Sequence, residues 1–175
     1  MCLLLETTPR TAPSARDLID VMLPAIPGTI ARLDQGTNVL FAGCGRAESL
    51  VVIAGLFPRS RFFGVESNPA ALGAARAAVR ENWLQNTQIS PDTVRQPHLQ
   101  DIFDVVIRQD GEAGAPLDSL TTLLREGGLL FDLSNETLSP ADYHDAGFVI
   151  LRTIRLPDGS RCTIAGNWLM PSPRT

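Results

Sequence analysis

Two glycines and one carboxylate carry the strongest chemical signal in this sequence. Gly43 and Gly45 bracket Cys44 directly after the apolar run Asn38-Val39-Leu40-Phe41-Ala42, and a second apolar run, Leu50 to Phe57, follows. A further strand-like run, Arg61-Phe62-Phe63-Gly64-Val65, ends in Glu66, 21 residues beyond Gly45. A buried strand that enters a Gly-x-Gly turn and then a helix suits a nucleoside. Glycine lets backbone approach a ligand with no Cβ in the way. A helix N-terminus offers N–H groups to polar or anionic ligand atoms, and a carboxylate at the end of the second strand can accept ribose hydroxyl protons. On this reading Ala42, Gly43, Cys44 and Gly45 hold the ligand from the turn, and Glu66, Ser67 and Asn68 hold it from the second strand end. Arg108 joins them at the rim from a later strand.

The remaining reactive side chains are few. Asp110, and behind it Glu112, are the candidates for a general base, on position alone. Cys44 reads as a small filler between glycines, since a nucleophilic thiol needs a neighbouring base. Asp104 reads as a structural acid for nearby loop N–H groups. His98 and His144 read as surface residues, and neither has the spacing of a metal site. No metal is expected. Trp83 and Trp168 are expected to pack at the core margin.

The elements that must position these groups alternate strand and helix from Asn38 onward. Strands are expected at Val39–Ala42, Phe62–Val65, Thr87–Ser90, Phe103–Ile107 and Leu129–Leu133. Helices are expected at Ala47–Phe57, sandwiched because it has little polar face, at Pro69–Trp83, and at Leu117–Leu124, ended by Arg125-Glu126-Gly127-Gly128. A small helix follows at Tyr143–Ala146. Phe148–Leu156 and Arg161–Leu169 flank Pro157-Asp158-Gly159-Ser160 and read as an antiparallel hairpin. Repeated strand–helix units imply α/β architecture, a doubly wound and mostly parallel seven-stranded sheet with a C-terminal antiparallel hairpin. Residues 1–37 form an N-terminal arm and helical segment; residues 38–175 form the ligand-binding domain. Within the first, Ser14 caps a helix, Pro24 and Pro27 break it, and Ile30 and Leu33 mark a second short piece.

Composition removes several function classes. All fifteen basic residues are Arg, so lysine Schiff-base chemistry and a P-loop lysine are both excluded. Net charge is −4 with no basic block, which speaks against nucleic acid as partner. Three widely spaced cysteines make no disulfide framework and fit a reduced, cytoplasmic setting. No stretch is long enough to span a bilayer, so no membrane partner is expected.

Taken in order, these segments resemble the class I S-adenosylmethionine (SAM) dependent methyltransferases, whose fold is Rossmann-like. Val-Leu-Phe-Ala-Gly-Cys-Gly at 39–45 resembles the family's glycine motif, and Gly-Val-Glu-Ser-Asn-Pro at 64–69 resembles the strand that ends in the ribose-binding acid. Asp92 falls where the family places an acid or amide beside the adenine amino group; a plain turn residue after Pro91 is the alternative. Phe103–Ile107 and Leu123–Phe131 resemble the fourth strand, and the helix, Gly-Gly turn and fifth strand. The resemblance implies SAM as cofactor and methyl transfer to an acceptor, here a small molecule. Three departures stand out. Phe41 occupies the position of an acid that orients the methionine end, Ala47 replaces the third glycine, and Arg108-Gln109-Asp110-Gly111 lacks the Asp/Asn-Pro-Pro-aromatic motif of amino methyltransferases.

Two other classes stay open: a SAM-fold protein without methyl transfer, such as a cyclase or a ligand-binding scaffold, and an NAD-dependent oxidoreductase. Leu18, Met22, Ile26, Ile30 and Leu33 need cover. The sheet's own helices, the cofactor rim, or a second copy in a homodimer could each provide it.

Overall fold

The computed structural model describes residues 14–91, 101–109, 116–134 and 138–167. Strands β1 (Asn38–Ala42), β2 (Arg61–Val65), β3 (Thr87–Ser90), β4 (Phe103–Arg108), β5 (Leu124–Asp132), β6 (Phe148–Arg155) and β7 (Arg161–Asn167) form one seven-stranded sheet in the order β3-β2-β1-β4-β5-β7-β6. The first five run parallel, and β7 lies antiparallel to both β5 and β6. This is the doubly wound, Rossmann-like sheet with the terminal hairpin that the sequence implies. Strand order reverses between β1 and β4, and open α/β sheets bind ligands at the carboxyl ends of strands flanking such a switch point.

Strand alternation sorts the two layers. On one face Val39, Phe41, Phe62, Val105, Ile107 and Phe131 join a core completed by helices α3 (Glu48–Leu56) and α4 (Pro69–Glu81). The N-terminal helices lie in the same layer: α1 (Ala15–Asp17), its π-helical and 3-10 continuations Leu18–Met22 and Leu23–Ala25, and α2 (Thr29–Gln35). On the other face Leu40, Ala42, Val106 and Leu130 pack with α5 (Leu117–Leu123) and α6 (Pro140–Asp145).

Local chemistry sets the boundaries. Ser14 and Asp17 form a capping box that starts α1. The helix ends at Ala25, just past Pro24, and Gly28 at φ 86° opens α2. Leu18, Met22, Leu23 and Leu33 are buried in the core, so the sheet's own helices cover them; Ile26 and Ile30 pack against the same cluster at its edge. Asn68 starts α4 by accepting from the N–H groups of Ala70 and Ala71, with Pro69 in the first turn. Asp104 accepts from the Asn38 N–H at 2.9 Å and pairs with Arg125 at 3.2 Å, the structural role its sequence position suggests.

Three expectations are corrected. Helix α5 ends at Leu123, and β5 begins at once at Leu124; the Gly127-Gly128 pair lies inside the strand, at an irregularity. Leu124 pairs with Phe103 and Leu129 with Val105, so residues 125–128 are absorbed as a bulge where a turn was expected. Helix α3 is not sandwiched, because Val52 and Leu56 are about half exposed. Trp83 is 84% exposed at φ 54°, beyond the last residue of α4, so it takes no part in the core. Trp168 and His98 lie outside the described residues. His144 is exposed, as expected. No helix among the described residues is long and apolar enough to cross a membrane.

Candidate functional site

The turn after β1 is built from left-handed backbone. Gly43, Gly45 and Ala47 adopt φ of 79°, 56° and 63°. Glycine takes such values freely, whereas an alanine is strained there by roughly 1–2 kcal/mol. The departure at the third motif position therefore keeps the glycine conformation and carries its cost. The N–H groups of Gly43 and Cys44 both donate to the Val65 carbonyl at 3.0 Å. Gly45 N–H donates to Glu66 Oε2 at 2.8 Å, and Asn68 N–H donates to Glu66 Oε1 at 2.9 Å. Glu66 is 4% exposed, so one buried carboxylate joins the glycine turn, the end of β2 and the start of α4.

Cys44 points into the layer behind the turn. A Cβ added to Gly64 would lie 2.9 Å from its sulfur and 2.7 Å from Ile89 Cδ1, so any side chain there would displace these core side chains. Burial, and then the nearby Glu66 charge, push the Cys44 thiol up to about 12. The thiol stays protonated, in keeping with its reading as a filler.

A cleft of about 440 Å³ opens between this turn and the end of β4, at the switch point. That volume is in the range of small-molecule sites, roughly 300–1,000 Å³. Cys44, Gly45, Arg46, Glu48 and Ser49 form one wall, Gln109 the inner end, and Ser14 and Ala15 part of the rim. The N-terminal segment thus contributes to the cleft as well as to the core.

The candidate residues divide between this cleft and its surroundings. Cys44 and Gly45 line it; Ala42 and Gly43 lead into it, and Glu66 holds the Gly45 end of the turn from behind without itself lining the cleft. Ser67 and Asn68 are exposed at the start of α4, where the Asn68 side chain is taken by its capping role. Arg108 points to the opposite layer. It is 2% exposed and donates to Asp132 Oδ2 at 3.1 Å and Ser134 Oγ at 2.8 Å. The Tyr143 hydroxyl donates to the same Asp132 oxygen at 2.8 Å, and burial with the Asp132 charge pushes its pKa up. Asp92, Asp110 and Glu112 lie outside the described residues.

Gln109 was not singled out by residue type. Its side belongs to strand parity: Val105 and Ile107 face the α3 layer, Val106 faces α5, and Gln109 continues the odd series into the cleft. The apolar run Val105-Val106-Ile107 does not say which parity faces the ligand. Among the described residues no group of three or more metal-ligating side chains comes together.

Solved structures share this fold. The [4+2]-cyclase SpnF superposes with TM-score 0.67 at 14% identity, covering 78% of this chain and 76% of its own. A SAM-dependent methyltransferase from Aquifex aeolicus gives 0.65 at 14% identity, over 89% of this chain and 99% of its own. The antibiotic-resistance methyltransferase Kmr gives 0.60 at 21% identity, over 79% and 91%. The chain has the class I SAM-dependent methyltransferase fold. No family profile matches the sequence, and no curated protein matches it significantly.

Proposed function

We propose that this protein binds SAM in the cleft between the Gly43–Ala47 turn and Gln109, and transfers its methyl group to a small-molecule acceptor. One observation carries the reading: the glycine turn, a buried carboxylate bound to it and an open cleft meet at the switch point of the sheet. Each Glu66 oxygen accepts one backbone N–H and keeps a second lone pair, so the carboxylate can also serve a ribose hydroxyl. The turn gives backbone access, and the volume of the cleft admits a small molecule. The residues present therefore fit the cofactor, with Gly43, Gly45 and Glu66 holding the nucleoside half.

Bound SAM supplies an electrophilic methyl carbon on a sulfonium. The chain has to orient the two reactants and exclude water, which supplies most of the acceleration for such a step. Ser14 and Ala15 line the cleft from the N-terminal segment. Where the acceptor is a hydroxyl, Asp110 is the proposed general base and Glu112 the second candidate, both on sequence position alone.

A second reading has its own support. The neighbours of this fold include a [4+2]-cyclase, and Phe41 is 1% exposed and apolar at the position of the methionine-orienting acid. That reading has the site hold SAM without methyl transfer. Calorimetry with SAM, S-adenosylhomocysteine and NADH, followed by assay of S-adenosylhomocysteine release on a panel of hydroxyl, amine and carbon acceptors, separates the cases. SAM binding with turnover supports the proposal. Binding without turnover on any acceptor favours the second reading, and binding of NADH alone overturns both.

A further inference from the structure

One buried side-chain nitrogen on the cleft lining has no partner among the described residues. Gln109 is 5% exposed, and its Nε2 has no hydrogen-bond partner among the described residues. A buried unpaired amide lowers stability unless a ligand completes it. Arg46 and Glu48 line the same cleft, both exposed, and neither forms an ion pair among the described residues. One donor, one cation and one carboxylate therefore line one cleft with no partner among the described residues.

The position of Gln109 adds to this. Phe41 pairs with Ile107 and Ala42 with Arg108, and the Gln109 N–H donates to the Ala42 carbonyl. Gln109 thus stands on the same face as Phe41, one step nearer the rim and on the adjacent strand. Phe41 is buried among apolar side chains and cannot receive a polar ligand atom.

Resting on the SAM reading above, we propose that Gln109, flanked by Arg46, donates to the carboxylate of the cofactor's amino-acid tail, and that Glu48 accepts from its ammonium group. A carboxylate only accepts hydrogen bonds, and an amide NH2 and a guanidinium supply donors; an ammonium only donates, and a carboxylate receives it. The polar function absent at position 41 is supplied from the end of β4 and the first residue of α3.

The test compares wild type, Gln109→Leu and Gln109→Glu by calorimetry, with S-adenosylhomocysteine and with 5′-methylthioadenosine, which lacks the amino-acid tail. Loss of a hydrogen bond to a charged group should weaken S-adenosylhomocysteine binding by Gln109→Leu roughly ten- to hundredfold. Affinity for 5′-methylthioadenosine should not change. Gln109→Glu should bind S-adenosylhomocysteine more weakly still, because it sets carboxylate against carboxylate. Without ligand, Gln109→Leu should melt at or above the wild-type temperature, since it removes the unpaired amide. Equal S-adenosylhomocysteine affinity in wild type and Gln109→Leu overturns the proposal, and so does tighter binding by Gln109→Glu. A parallel loss of both ligands, or a lowered melting temperature, makes Gln109 structural and overturns it too. Wild type that binds neither ligand overturns the SAM reading itself.

Discussion

The Gly45 amide nitrogen lies 2.8 Å from the Glu66 carboxylate, so the acid at the end of β2 closes the glycine turn onto the sheet before any ligand arrives. Its other oxygen holds the Asn68 N–H. Hydrogen bonds to a charged group are worth roughly 1.5–3 kcal/mol each. Glu66→Ala should therefore lower the unfolding free energy of the ligand-free protein by about 3 kcal/mol, read from urea titration, as well as weakening SAM. An unchanged urea midpoint would show that the carboxylate does not hold the turn.

Ala47 tests the same turn from the opposite direction. Its φ of 63° costs an L-residue roughly 1–2 kcal/mol. Glycine removes that strain but gains about 0.4–1 kcal/mol of unfolded-state freedom. The strain term wins, so Ala47→Gly should stabilise the protein by about 0.5–1 kcal/mol in thermal or urea unfolding. A destabilised variant would mean that the Ala47 methyl, which is 1% exposed, contributes more by packing than its backbone costs.

Arg108 and Asp132 form a buried ion pair under Tyr143. Removing one partner leaves the other charge uncompensated, at roughly 3–5 kcal/mol. Asp132→Ala should lose about that much, whereas the double variant Arg108→Met with Asp132→Leu should recover part of it. A double variant as unstable as the sum of the two single changes would show that the pair is not coupled.

Cys44 makes stability fall at high pH. Its thiol is raised from the ordinary 9.0 to about 12 in the fold, by burial and then by the Glu66 charge. The unfolded chain therefore releases this proton first. The contribution is fully present below pH 9 and is lost as pH rises from there towards 12. Cys44→Ala should flatten the decline in melting temperature between pH 9 and 10.5, and the folded wild type should resist iodoacetamide at pH 8. Rapid alkylation of the native protein would contradict this assignment.

How far the sequence could be read depended on whether each feature was written locally. The Gly-x-Gly turn, the Asn68-Pro69 helix start and the Asp158-Gly159 hairpin turn are fixed by backbone preferences of neighbouring residues, and all three stand where they were expected. Gly127-Gly128 has the same composition as a helix stop. It became a bulge instead, because Leu124 already pairs with Phe103 across the sheet, a contact no local window contains. Trp83 continued the α4 pattern, but the helix had ended two residues earlier and the left-handed turn carried the ring outward. Within the site, the turn and Glu66 were legible from spacing. The stretch 108–110 was legible as part of the rim, but which of its side chains enters the cleft was not, since that depends on how β4 pairs with β1.

The strand order has a consequence for how the protein is made. β7 lies between β5 and β6, so the element synthesised after β6 must enter beside a strand that left the ribosome earlier. Until residues 161–167 emerge, β5 has an open edge and β6 has no partner in the sheet. The parallel half, with its glycine turn, can assemble first; the hairpin half waits. A nascent chain stalled before Arg161 would thus expose the hydrogen-bonding edge of Leu129–Asp132, which makes late synthesis the interval in which this protein most needs a chaperone.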